Sequence, residues 1–171
     1  NEDQTIWVVL NGEIYNFRDL RKSLERKHNF YTDTDTEVIV HAYEEFGENC
    51  LQKLDGMFAF VLWDMDKKKL FIARDRLGVK PLYYCVKSDK LLFASEIKSI
   101  LQDPDIQRKL NYDALCQFVT YAYTIDGQTM FNGINELLPG HKLIFTFRDK
   151  NVKIEKYWDL QLTKNLQSDE E

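Results

Sequence analysis

Five consecutive residues, Phe58-Ala59-Phe60-Val61-Leu62, are apolar without interruption. In a strand, successive side chains point to opposite faces. Such a run therefore presents apolar groups on both faces and needs cover on both. The full run, 57–63, has seven residues and is far too short to span a bilayer. A polar turn at 64–69 and a second apolar segment at 70–73 complete a hairpin pattern. Two more strand pairs are expected, 82–86 with 91–94 about Ser88-Asp89-Lys90, and 142–147 with 152–158 about 148–151. Helical periodicity falls in separate blocks. Strands in hairpins and helices in blocks point to an α+β domain with antiparallel sheets, layered as a sandwich with outer helices.

The helices are marked at their ends. Phe17, Leu20 and Leu24 share one helical face, with Asn16 as the expected N-cap. Thr34 and Glu37 have capping-box spacing ahead of the stripe Val38, Ile39, Ala42, Tyr43 and Phe46, and Gly47 ends it. Short helices are expected over 48–54 and 96–101, and a longer one over 112–121.

Composition excludes several functions. The 171 residues carry 23 Lys+Arg and 28 Asp+Glu, a net charge of -5, which argues against a nucleic-acid surface. No membrane span and no signal peptide are read from the sequence. Cys50, Cys85 and Cys116 are too scattered for a disulfide framework or a zinc site. They read as reduced packing thiols of a cytoplasmic protein. His28, His41 and His141 lack metal-ligand spacing, so no metal is expected and each reads as a surface or helix-face residue.

Chemistry enters at Asn11-Gly12. These residues follow the apolar run Ile6-Trp7-Val8-Val9-Leu10, which reads as a buried strand. An Asn side-chain amide beside an unhindered Gly N–H offers two donors that could hold an oxyanion. The same dipeptide is the commonest two-residue hairpin turn. Asp35 stands at the start of a helix, where a carboxylate is stabilised by the dipole whatever else it does. Asp33-Thr34-Asp35-Thr36 lacks the further residues of a phosphatase nucleophile motif or a calcium loop. Arg74-Asp75 reads as a structural ion pair fixing the turn at 78–81, and Leu138-Pro139-Gly140 as turn chemistry.

Asn11-Gly12-Glu13-Ile14-Tyr15-Asn16 resembles the glutaminase domain of glutamine-dependent asparagine synthetases. So do Thr34-Asp35-Thr36-Glu37-Val38-Ile39 and Leu54-Asp55-Gly56-Met57-Phe58-Ala59-Phe60. Residues 74–84, Ser95-Glu96-Ile97-Lys98-Ser99-Ile100 and Leu138-Pro139-Gly140-His141 continue the likeness in order. Tyr157-Trp158-Asp159-Leu160 is similar to the point where that domain meets a synthetase domain. The resemblance implies a class II glutamine amidotransferase with the N-terminal-nucleophile hydrolase fold, an αββα sandwich of two antiparallel sheets. It implies a cysteine thiolate attacking glutamine, a glutamyl thioester, and ammonia passed to an aspartate activated by ATP. On this likeness Asn11 and Gly12 form the oxyanion hole, Glu13 frames the glutamine and Asp35 holds its α-ammonium.

The chain also departs from that pattern. Its first residue is Asn1, and the family's nucleophilic cysteine and carboxylate-clamping arginine lie upstream of the matching region. Residues 1–160 are therefore expected to be the middle and C-terminal part of the domain, its sandwich incomplete for want of N-terminal strands. Residues 161–171 are expected to form a linker toward a synthetase domain that would hold ATP and Mg²⁺. This chain alone is expected to be inactive, to need no cofactor, and to pair with itself through exposed sheet edges. A degenerate regulatory domain, or part of a sugar- or antibiotic-modifying amidotransferase, remains an alternative reading.

Overall fold

The computed structural model describes residues 1–87 and 90–161. The turn residues Ser88 and Asp89, and the expected linker beyond residue 161, lie outside the described residues. The elements in order are β1 (Ile6–Ile14), α1 (Phe17–Leu24), α2 (Asp35–Phe46), a 3-10 turn (Gly47–Gln52), β2 (Gly56–Asp64) and β3 (Lys69–Arg74). There follow β4 (Tyr83–Lys87), β5 (Lys90–Ala94), α3 (Ile97–Ile100), α4 (Tyr112–Tyr121), β6 (Asn135–Glu136), β7 (His141–Thr146) and β8 (Asn151–Lys156). Among the described residues no helix is long and apolar enough to cross a membrane.

The strands make two sheets with every pairing antiparallel, one in the order β1-β2-β3-β7-β8 and one in the order β5-β4-β6. β2 does what its composition demands. Phe58, Phe60 and Leu62 pack with Phe71 and Ala73 against α1, α2 and the 3-10 turn. On its other face Ala59 and Val61 join Ile72, Leu143 and Phe145 beneath Tyr84 and Leu91 of the smaller sheet. Beyond that sheet, Cys85 and Leu92 pack on Ile97, Ile100 and Ile134. The result is a helical layer, two stacked sheets and a second helical and loop layer, the α+β sandwich expected.

Several local expectations change in detail. β1 is an edge strand, not a buried one: Trp7 is 58% and Val9 74% exposed. Its inner face, Ile6, Val8, Leu10 and Ile14, is covered, while Trp7 and Val9 stay open because the smaller sheet does not reach over the start of β1. Asn11-Gly12 is no hairpin turn, since β1 runs through it to Ile14 in continuous register with β2. Asn16 and Thr34 sit at the N-caps without side-chain capping bonds. Asn16 instead bridges Lys53 O and Asp55 N. Glu37 turns back to Tyr31 N and Thr32 N at 2.6 and 2.7 Å, so the capping box does not form. Cys50 and Cys85 are buried, but Cys116 is exposed on α4, whose outward face also carries Val119. His41 lies on a helix face, as one of the two expectations had it, but on the fully buried face of α2.

Candidate functional site

The register of β1 on β2 decides what its edge can do. Tyr15 N donates to Asp55 O at one end of the pairing and Met65 N donates to Thr5 O at the other. These fix Asn11↔Ala59 and Glu13↔Met57 as hydrogen-bonded pairs, and Gly12↔Phe58 as the non-bonded pair between them. The Gly12 and Ile14 N–H groups therefore point away from β2. The Ile14 N–H is taken by Asp35 Oδ2 at 2.9 Å. The Gly12 N–H faces the open edge, where no described strand pairs with β1.

Gly12 is required there. Its φ is +145°, and a Cβ would stand 2.1 Å from Met57 O and 2.7 Å from Phe58 Cα. The side chain of Asn11 turns toward the smaller sheet, where its amide Nδ2 donates to Ser95 Oγ at 3.2 Å, just past the end of β5. The amide has a second N–H, so that bond leaves one donor free. Glu13 is exposed at the next position on the same face. Asp35, the first residue of α2, keeps Oδ1 for further contact, its nearest partner being Thr36 Oγ1 at 3.4 Å. All four expected site residues thus meet at one end of β1, with Asp35 joined to it through the Ile14 N–H. Ser95 lies within a recognised motif, but its tie to Asn11 spans 84 residues and no local pattern signals it.

Cavities lie at either end of this wall. One of about 420 Å³ is lined by Gln4, Ile6, Trp7 and Tyr31, and one of about 290 Å³ by Tyr15, Met57, Arg76 and Trp158. Asn11, Gly12, Glu13 and Asp35 line neither; theirs is an open strand edge.

A rigid scaffold holds β2 behind the site. Asp75, 1% exposed, accepts at Oδ1 from Leu77 N and Val79 N, at 3.1 and 3.0 Å. At Oδ2 it accepts from Lys80 N and Phe58 N, at 3.1 and 3.2 Å. Arg74 donates to Lys80 O, Gly78 O and Leu137 O and pairs with Glu136 at 2.7 Å. The role is structural as expected, but the ion pair differs. Arg74 and Asp75 are adjacent on the chain, and each binds the turn from its own side; the carboxylate facing Arg74 is Glu136. Leu138-Pro139-Gly140 is a turn, and Gly140 N donates to Asp75 O at 2.8 Å.

Residues 1–158 match the model of the glutamine amidotransferase domain family. Asparagine synthetase [glutamine-hydrolyzing] 3 of Bacillus subtilis is 42% identical over 166 residues, covering 96% of this chain and 27% of that protein. Amidase chyE of Penicillium rubens is 36% identical, over 99% of this chain and 24% of that protein. The chain thus spans about a quarter of the length of these relatives. Among solved structures, glutamine phosphoribosylpyrophosphate amidotransferase from B. subtilis superposes with a TM-score of 0.59 at 25% identity, over 90% of this chain and 29% of that one.

Proposed function

The chain belongs to the glutamine amidotransferase domain family, and from that premise we propose that it forms one wall of the glutamine site in an asparagine-synthetase-type enzyme. The observation that carries this reading is the Gly12 N–H aimed off the open edge of β1, beside the Asn11 amide. Attack of a thiolate on the glutamine side-chain amide places negative charge on its oxygen. Two fixed donors stabilise that charge without reorganising. Collapse of the adduct expels ammonia and leaves a glutamyl thioester, and water releases glutamate. In this proposal Glu13 frames the substrate and Asp35 Oδ1 takes the α-ammonium through a charge-assisted bond.

None of the chain's own thiols suits the nucleophile. Burial pushes the Cys50 thiol up to about 12 and raises that of Cys85, and Cys116 lies exposed on α4. None carries a free α-amino group to act as its base. The nucleophile is assigned to another part of the parent protein, as is ATP-dependent transfer of ammonia to aspartate with Mg²⁺. The free thiols support a cytoplasmic setting, and exposed Trp7 and Val9 on an edge strand support self-association. The second reading is a related amidotransferase other than an asparagine synthetase, which a relative named as an amidase supports.

The test uses the full-length parent. Asn11→Ala should lower glutaminase kcat by about 10²–10³, the usual loss for one oxyanion donor. Ser95→Ala, which only frees the amide, should cost far less. Asp35→Asn should raise KM for glutamine more than it lowers kcat. An Asn11→Ala enzyme with unchanged kcat removes the oxyanion role.

A further inference from the structure

The start of the chain, the segment after α1 and the inner face of α2 bring together a polar cluster that the glutamine site does not use. His41 is fully buried on α2; its ring stacks on His28, with centroids 4.9 Å apart, and takes the Phe30 ring edge-on at 4.4 Å. His41 Nδ1 lies 2.8 Å from Glu44 Oε2 and 3.8 Å from Glu2 Oε2. His28 Nδ1 lies 3.4 Å from Glu44 Oε2 and 3.8 Å from Glu2 Oε1. One ligand atom from each of the four residues falls within 4.8 Å of all the others. A tetrahedral ion with bonds of about 2.0–2.2 Å holds its ligand atoms roughly 3.3–3.6 Å apart. The observed separations straddle that range.

Both carboxylates are also held by neighbouring donors. Asn1 Nδ2 donates to Glu44 Oε1 at 2.7 Å, and Asn29 N donates to Glu2 Oε1 at 2.7 Å. The far ring nitrogens, His41 Nε2 and His28 Nε2, are buried without a hydrogen-bond partner. Each nonetheless faces a carboxylate at 3.7 Å, Glu37 for His41 and Glu45 for His28. A carboxylate behind the far nitrogen is how ligating imidazoles are oriented. Four carboxylates gather here, and of these Glu45 is bonded to the Lys27 ammonium. The Arg21 guanidinium, over the Phe30 ring, is paired with Asp33 at 3.1 Å.

We propose that Glu2, His28, His41 and Glu44 form a structural site for a tetrahedral divalent cation of the zinc class, stapling the start of β1's leading segment to the α1–α2 pair. Two imidazoles with two carboxylates suit Zn²⁺ and not Mg²⁺, which prefers oxygen ligands and water. Spacing along the chain shows only the i,i+3 pair His41 and Glu44 on α2, because the other two ligands come from separate segments.

The experiment titrates ZnCl₂, in a chelator-buffered series, into the chain as it stands. One ion should bind per chain with a rise in Tm, and Co²⁺ should give tetrahedral d–d bands without a thiolate charge-transfer band. His28→Gln and Glu2→Gln, at partly exposed positions, should each weaken Zn²⁺ at least tenfold, and Glu37→Gln by about 10–100-fold. Cys116→Ser should change nothing, and MgCl₂ should leave Tm unmoved. Absence of binding at micromolar free Zn²⁺, affinity indifferent to His28→Gln and Glu2→Gln, loss of binding in Cys116→Ser, or an equal Tm rise with Mg²⁺ each overturns the proposal.

Discussion

Replacing Asp75 tests whether one buried carboxylate organises the turn behind the site. Its two oxygens accept four backbone N–H groups, from Phe58, Leu77, Val79 and Lys80. Asp75→Ala strands all four, but not equally. Phe58 is 2% exposed, so its N–H has no water to replace the carboxylate and costs about 2 kcal/mol. Leu77 and Val79 are 75% and 56% exposed, and their donors rehydrate. Together with Lys80 they add about 2 kcal/mol. A total near 4 kcal/mol is a large share of a typical domain's ~5–15 kcal/mol. Asp75→Asn keeps one oxygen. The favoured flip leaves that oxygen on Phe58 and Lys80 and turns the NH₂ toward the two donors that water can reach. Its cost should be about 2–3 kcal/mol. Urea unfolding followed by tryptophan fluorescence, with the slope m unchanged, reads both values. An Ala variant within about 1 kcal/mol of the native chain, or an Asn variant less stable than the Ala variant, refutes the reasoning.

Gly12→Ala should cost about 3 kcal/mol or more and fray β1, because the new Cβ meets β2 backbone at 2.1 Å. Native-like amide protection over 6–14 would count against this. Glu48 bridges Lys69 and Lys142 at 3.1 and 2.7 Å. Burial opposes its charge, but the two ammonium groups outweigh it and hold its pKa below the usual 4.5. The stability it contributes is therefore present above pH 4.5 and lost as pH falls through the lower folded value. Glu48→Gln should be less stable than the native chain by about 1 kcal/mol near neutrality, and the gap should close in acid; a gap that persists there denies the charge its role. A thiol reagent should label Cys116 at once in the folded chain, and Cys50 and Cys85 only after unfolding. Rapid modification of two thiols in the native state would contradict the burial of Cys50 and Cys85.

Elements built on strong periodicity were legible in the sequence. The two-sided apolar run of β2 required cover on both faces, and the stripe from Val38 to Phe46 required one buried helical face; both requirements are met. Side-chain destinations were not legible. Glu37 had the spacing for a capping box, yet three donors of residues 31–32 compete for its carboxylate and win. Arg74 looked like a partner for Asp75, yet the sheet directs it to Glu136. Ile6–Leu10 looked buried because apolar composition registers hydrophobicity, not which neighbouring sheet is wide enough to cover it.

The sequence by itself determined the class of the fold, its hairpins and helices, and the glycine-bearing Asn11-Gly12 step with its two donors. Periodicity and residue type act over a few positions and survive without knowledge of the rest of the chain. Only the tertiary structure decided that Asn11-Gly12 is mid-strand rather than a turn, because the register with β2 is set by contacts about fifty residues away. The same register aims the Gly12 N–H off the sheet edge and hands the Ile14 N–H to Asp35. It was also the packing of α2 on α1 and the chain's start that gathered His28, His41, Glu2 and Glu44. Such sites depend on which segments meet, and that is fixed by burial of the apolar faces, not by local spacing.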